Sequence, residues 1–259
     1  MNDAEILAIF DKEVRRECEW TRMRRDVLPN LVRYTLTGVG YGGGHVSWSD
    51  LTGDSADEAI QSQIEYFGKL GADFEWKYYN YDKPEDLPQR LLAHGFTPGE
   101  PEALMVADIN DLPGYYWDMD VSAVQRVTTP EGVDAIARME SEVWNEEKTG
   151  FTTGMKYDLE HNPEELSVFA VWQDGRIVSA AWTFYLPGTS FATFWGGSTL
   201  AAYRRRGYYT ALLAVRASEA RQRGYRFLQV DASPNSRPIL AKHGFRCLAF
   251  STPYDWEAG

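Results

Sequence analysis

The sequence predicts an α/β (α+β) fold in two lobes of like element order, and three observations predict it. Residues 191–223 read as strand, turn and helix: the apolar Phe191, Phe194 and Trp195 lead through Gly196-Gly197 and Arg204-Arg205-Arg206-Gly207 to apolar positions at Ala211, Leu212, Val215 and Ala220. Residues 225–232 then look β-rich, Ser233-Pro-Asn-Ser236 caps a short helix over 237–242, and His243-Gly244-Phe245 stops it before a strand over 245–250. The N-terminal half carries the same order, and Leu92-Ala93-His94-Gly95-Phe96 echoes Leu240-Ala241-Lys242-His243-Gly244-Phe245.

In chain order, Ile6, Leu7, Phe10, Val14 and Cys18 fall at helical spacing, which predicts a helix over 3–24. Strands are expected over 31–37 and 45–48. The five glycines between them open onto a strand and not onto a helix, so they read as a hairpin connection and not as a phosphate loop. Ser55-Ala-Asp-Glu58 is a capping box for a helix to Leu70, stopped by Gly71. Alternation over 74–79 predicts a strand, 84–93 a short helix, and 103–107 the strand that closes the first lobe. Pro113-Gly114 breaks the pattern and divides the chain into lobes at 1–115 and 121–259. The second lobe opens with a strand over 123–127 and a helix after Pro130 carrying Val133, Ile136, Met139 and Val143. Residues 150–161 read as irregular, and 166–172 with 177–185 as a hairpin about Asp174-Gly175.

The turn after Gly197 aims backbone N–H groups, the positive end of a helix dipole and three guanidinium groups at one place, which suits a phosphorylated ligand. Arg204-x-x-Gly207 resembles the first four positions of the (Gln/Arg)-x-x-Gly-x-(Gly/Ala) loop of the GNAT superfamily, the acyl-CoA-dependent N-acyltransferases. Tyr209 takes the last position. The resemblance extends over the C-terminal half through the Gly-Phe stop and loosely over the N-terminal half. It implies two GNAT-like lobes, each a mixed, mostly antiparallel sheet packed between helices. In the first lobe Asp50, Asp54 and Asp57 stand where the second has arginines, and they would repel a diphosphate, so that lobe is expected to be degenerate and to bind no cofactor.

The resemblance further implies acetyl-CoA as cofactor, held by Gly197, Ser198, Thr199, Leu200, Arg204, Arg205, Arg206, Gly207, Tyr208, Tyr209, Thr210, Ser233 and Ser236. It implies direct attack of a primary amine, on a small molecule or a peptide, at the thioester. Thr193 stands where some members place a glutamate base, Leu240 where many place a tyrosine acid, and Ser233 where an asparagine is common. Glu142 or Glu140, acting through water, remains as the base, with Glu146 and Glu147 as further amine contacts. Tyr209, Tyr203 or Tyr254 remains as the acid, and His161 and His243 are weaker candidates.

A net charge of -12 disfavours nucleic acid and anionic membrane as partners, and with them a transferase working on charged tRNA. Two cysteines are too few for a disulfide scaffold or a cysteine metal cluster, and no metal is expected. No apolar run approaches the roughly 20 residues of a membrane span, and residues 3–13 lack a signal-peptide layout, so the expected location is the cytoplasm. Nine Trp and 15 Tyr give aromatic surface enough for a homodimer. The competing reading is a non-catalytic acyl-CoA-binding or protein-interaction module.

Overall fold

The computed structural model describes residues 1–40 and 42–259. The first half runs α1 (Asp3–Phe10), a wider helical turn (Asp11–Arg16), β1 (Met23–Leu28), β2 (Leu31–Leu36), β3 (Gly44–Ser49), α2 (Ala56–Leu70), β4 (Phe74–Tyr79), α3 (Leu87–Ala93), the two-residue β5 (Thr97–Pro98) and β6 (Glu102–Asp108). After α4 (Tyr115–Asp118), the second half runs β7 (Val124–Val127), α5 (Pro130–Trp144), α6 (Thr152–His161), β8 (Leu166–Gln173), β9 (Arg176–Tyr185), β10 (Phe191–Thr199), α7 (Tyr208–Gln222), β11 (Phe227–Ala232), α8 (Arg237–Lys242) and β12 (Arg246–Trp256).

The fold is α/β with a mixed, mostly antiparallel sheet between helices, and the element order of β2 to β6 returns in β9 to β12. The two halves share one sheet, in the order β1-β2-β3-β4-β12-β6-β11-β10-β9-β8-β7. The last strand of each half has crossed over: β12 pairs with β4, β6 pairs with β11, and β12 and β6 pair with each other. A boundary at 115–121 therefore divides the chain but not the sheet. Among the described residues only β3 with β4 and β10 with β11 run parallel.

Strand alternation sends Phe74 and Trp76 to a core with α2 and α3, and Phe194 and Leu228 to a core with α7 and α8. The opposite face carries α5 and α6 over β8 and β9, and α1 over the central strands, with Phe10 between Tyr79 and Phe191. Among the described residues no helix is long and apolar enough to cross a membrane.

Four local expectations are corrected. The first helix ends by Arg16, and Met23–Leu28 is a strand, because it pairs in register with β2 over six residues, a gain no local periodicity reports. Residues 152–161 form a helix although their composition looks irregular, since Met155 docks in the core and Asp158 chelates Arg22 of the first half. Gly196 and Gly197 do not end β10 but bulge within it. Ser55 makes no capping bond to α2; its hydroxyl accepts from the Thr52 amide instead.

Candidate functional site

β10 and β11 pair only at Phe191↔Phe227, Ala192↔Leu228 and Thr193↔Gln229. Beyond Thr193, β10 stays with β9 as far as Thr199 while β11 stays with β6, so the two strands part and the inner edge of β10 has no partner strand. The bulge between Gly196 and Ser198 lies within this free stretch, with φ of +67° at Gly196 and +88° at Gly197. A Cβ on Gly196 would come within 2.4 Å of the Trp182 ring, and one on Gly197 within 3.1 Å of Tyr209. Only glycine fits, and the bare backbone is left open to a ligand. Arg216 of α7, 2% exposed, ties α7 to β9 and β10 beside the bulge: Nε donates to Leu212 O at 2.9 Å, and Nη1 to Trp182 O and Trp195 O at 3.3 Å. Its guanidinium lies 4.2 Å from the centre of the Phe194 ring, and burial lowers its pKa to about 10.

From Thr199 the chain turns into α7. Arg204 Nε donates to Thr199 O and Arg206 Nη2 to Ala202 O, both at 3.1 Å, and the left-handed Arg205 and Gly207 complete the turn. No side chain caps α7, so its first amides remain free beneath three exposed arginines that have no carboxylate partner among the described residues. The loop and the strand end, Gly197 through Thr210, thus lie together. The side chains of Ser198 and Thr199 are turned to other tasks, Ser198 to Glu140 at 2.9 Å and Thr199 to Ser179 at 2.7 Å. Leu200 is buried beneath α5, Tyr208 packs beside it, and the Thr210 hydroxyl is 3.5 Å from His243 Nε2. Ser233 and Ser236 shape the turn after β11, the Ser236 amide donating to the Ser233 hydroxyl at 3.3 Å.

The proton-transfer candidates separate. Thr193 is buried at the parting point; its hydroxyl donates to Phe184 O at 3.4 Å and accepts from Trp195 Nε1 at 3.3 Å. Tyr209 lies against Gly197, its phenol pushed up by burial. Glu142 is not brought to this place: it is exposed, ion-pairs with Arg176 at 2.5 Å and borders a second pocket with Trp172. Two positions earlier, Glu140 is buried; Oε2 accepts from Ser198 and Trp144, Oε1 has no partner, and burial pushes the carboxyl up. Glu146 and Glu147 are exposed beyond the end of α5. The Tyr203 hydroxyl donates to Asp174, Tyr254 belongs to the core under α2, His161 stacks on Tyr157, and His243 Nδ1 is 2.8 Å from the Tyr115 hydroxyl.

On the face away from α7 the parting opens into a cavity of about 490 Å³. Thr193 and Trp195 of β10 and Gln229 and Asp231 of β11 line one side, and Glu75 and Lys77 of β4 line the other. Sequence reasoning missed Glu75, Lys77, Asp231 and Trp195. In Phe74-Glu-Trp-Lys-Tyr-Tyr79 the charged positions alternate with apolar ones, the pattern of a solvent face, and only the shared sheet turns that face inward.

Residues 134–245 match the family model described as "Acetyltransferase (GNAT) family". None of the curated proteins matches the chain. Among solved structures, a GCN5-related N-acetyltransferase from Kribbella flavida is 16% identical, with 99% of this chain and 94% of that one covered at a TM-score of 0.64. A functionally unknown conserved protein from Staphylococcus epidermidis ATCC 12228 is 11% identical, with 95% and 97% covered at 0.63. A tandem GNAT protein from the clavulanic acid biosynthesis pathway is 10% identical, with 88% and 78% covered at 0.56. At these identities the likeness is one of fold, and it extends over both halves. Residues 134–245 thus match the GNAT family, and the fold of both halves is similar to that of GNAT proteins.

Proposed function

We propose that the protein is an N-acetyltransferase that transfers an acetyl group from acetyl-CoA to a primary amine of a small molecule or peptide, and that the C-terminal lobe alone holds the cofactor. The parting of β10 from β11 beyond Thr193 carries this reading, because it leaves a free strand edge that leads from the cavity to an uncapped helix under three arginines. The residues fit the group. The β10 edge with Gly197, Ser198 and Thr199 would present backbone to the pantetheine arm, and Arg204 to Thr210 would hold the diphosphate. Bound there, acetyl-CoA supplies an acetyl group already activated as a thioester. The bulge amides are donors for the developing oxyanion, and Tyr209, its phenol kept protonated by burial, is the donor to the leaving sulfur. Positioning in the parted strands supplies much of the remaining acceleration.

The N-terminal counterpart of this slot is filled from within. β3 and β4 also pair at only three positions, but Arg15 enters beyond them, Nε donating to Ser47 O at 2.8 Å and Nη2 to Asp82. At the start of α2, Asp57 is engaged by Arg90 and His94. This supports a lobe without cofactor. Both cysteines are free, which suits the reducing cytoplasm.

Calorimetric titration tests the reading: one acetyl-CoA per chain is expected, and R204E/R206E should lower the affinity at least tenfold with the fold intact. Absence of binding at millimolar cofactor would overturn it. A second reading, acyl-CoA binding without turnover, is favoured by Thr193 and by Leu240, which sits buried on α8 in place of a proton donor. Thiol release on addition of amines separates the two.

A further inference from the structure

The cavity between the halves has the size of small-molecule sites, which run from about 300 to 1,000 Å³. The charges that line it are nearly all matched. Arg22 forks onto Asp158 with two bonds of 2.8 Å, and Arg15 onto Asp82. Lys77 Nζ donates to Glu102 at 2.8 Å and lies 3.4 Å from Asp231, and Glu165 accepts from Thr21. Among the described acidic and basic side chains lining the cavity, histidine aside, Glu75 alone has neither a hydrogen bond nor an ion pair. Across the cavity from it runs an aromatic wall. Trp20 meets Phe184 edge to face at 6.0 Å, Phe184 meets Trp195 at 6.1 Å, and the Trp195 indole is left 51% exposed at the parting of the strands. A lone carboxylate and an open aromatic wall in one cavity match a ligand with a cationic head and an apolar body.

We propose that this cavity is the acceptor site, that it takes a primary amine carrying an aromatic or apolar body, and that Glu75, from the lobe without cofactor, receives the ammonium group and takes its first proton. The inference rests on the acetyltransferase reading above. The ammonium gives one proton, through water in the cavity, to the Glu75 carboxylate, and the freed lone pair forms the C–N bond to the acyl carbon as the C–S bond breaks with its electron pair on sulfur. Tyr209 gives its proton to the sulfur and is reprotonated by the second surplus proton from nitrogen, giving amide and thiol, and Glu75 passes its proton to water.

The electrostatics agree. Burial pushes the Glu75 carboxyl up to about 7, opposed by Lys77 of β4 and reinforced by Asp255 of β12, Glu102 of β6 and Asp231 of β11. His45 of β3, paired in register with Glu75, is pulled down by burial to about 4 and stays neutral. Across the cavity Arg22, Asp158 and Glu165 are held by one another or by Thr21. A carboxyl near 7 can accept and release a proton at neutral pH.

The test uses 2-phenylethylamine as probe, 2-phenylethanol as its neutral match and spermidine as a polar polyamine, on the wild type and Glu75→Gln. Acetyl-CoA is titrated first; equal affinity for both proteins shows that the variant has folded and kept its cofactor site. Indole fluorescence and calorimetry should then give millimolar or tighter binding of the amine to wild type, tightening as pH rises from 6 to 8. The neutral match should bind at least tenfold more weakly. Glu75→Gln should lose at least tenfold in amine affinity together with its pH dependence, and Glu75→Asp should recover part of both. Undiminished amine binding by Glu75→Gln, equal binding of the neutral match, or binding of spermidine but not of 2-phenylethylamine would each overturn the proposal. Amine binding by a wild type that binds no acetyl-CoA would sink the acetyltransferase reading and the proton transfer with it.

Discussion

At Glu75 a carboxyl kept in a cavity without a partner weakens the fold at neutral pH. Its folded pKa lies above that of the unfolded chain, so the native state binds the extra proton between about pH 4.3 and 7, and stability falls as pH rises through that window. Glu75→Gln removes the effect: urea unfolding should find the variant more stable than wild type by about 1–3 kcal/mol at pH 8, with the difference shrinking toward zero below about pH 4. Parallel stability curves would mean that the carboxyl is not desolvated. Gly197 is the second residue whose environment makes a prediction. Alanine there would need φ near +88° and a Cβ 3.1 Å from Tyr209, so Gly197→Ala should cost about 1–2 kcal/mol and lower acetyl-CoA affinity. The glycine pair was visible in the sequence as a turn. Its role as a bulge was not, because a bulge exists only relative to the partner strand.

At the level of elements, α5 explains why two glutamates two positions apart have different fates. Glu140 falls on the face that meets β10 and bonds to Ser198, whereas Glu142 falls toward Arg176 and solvent. Helical spacing predicts that they diverge, but which one points inward is set by how the helix sits on the sheet. The start of α7 works through charge. Its free amides and exposed arginines act through solvent, so acetyl-CoA affinity should fall several-fold between 50 and 500 mM NaCl in wild type and much less in R204E/R206E. Titrations at the two salt concentrations check this, and equal slopes would place the diphosphate elsewhere. α6 was the element least legible in sequence; the contacts that hold it, Met155 in the core and Asp158 on Arg22, come from distant parts of the chain.

For the whole molecule the exchanged strands dominate. β12 completes the N-terminal part of the sheet and β6 the C-terminal part, so neither half can close its own edge. Full-length protein should therefore unfold in a single calorimetric transition, and residues 121–259 expressed alone should fail to fold cooperatively. Two resolved transitions, or a well-folded fragment, would show that the lobes are independent. The same exchange builds the cavity, because it fixes β4 and β11 on either side of the β12–β6 pair and turns Glu75 toward Thr193 and Trp195.

The sequence by itself determined the doubled order of strands and helices, the strand–turn–helix around Arg204 to Gly207, and with them the resemblance to the GNAT family. Each of these is written in spacing and composition along short stretches, where periodicity and turn chemistry act locally. Only the tertiary structure decided that the lobes share one sheet, that Glu140 and not Glu142 faces β10, and that Glu75 and Lys77 of the first half line a cavity with β10 and β11 of the second. Those outcomes depend on which strands find each other across more than a hundred residues, and the energy that selects them, burial of a common core, is a property of the assembled sheet and of no single segment.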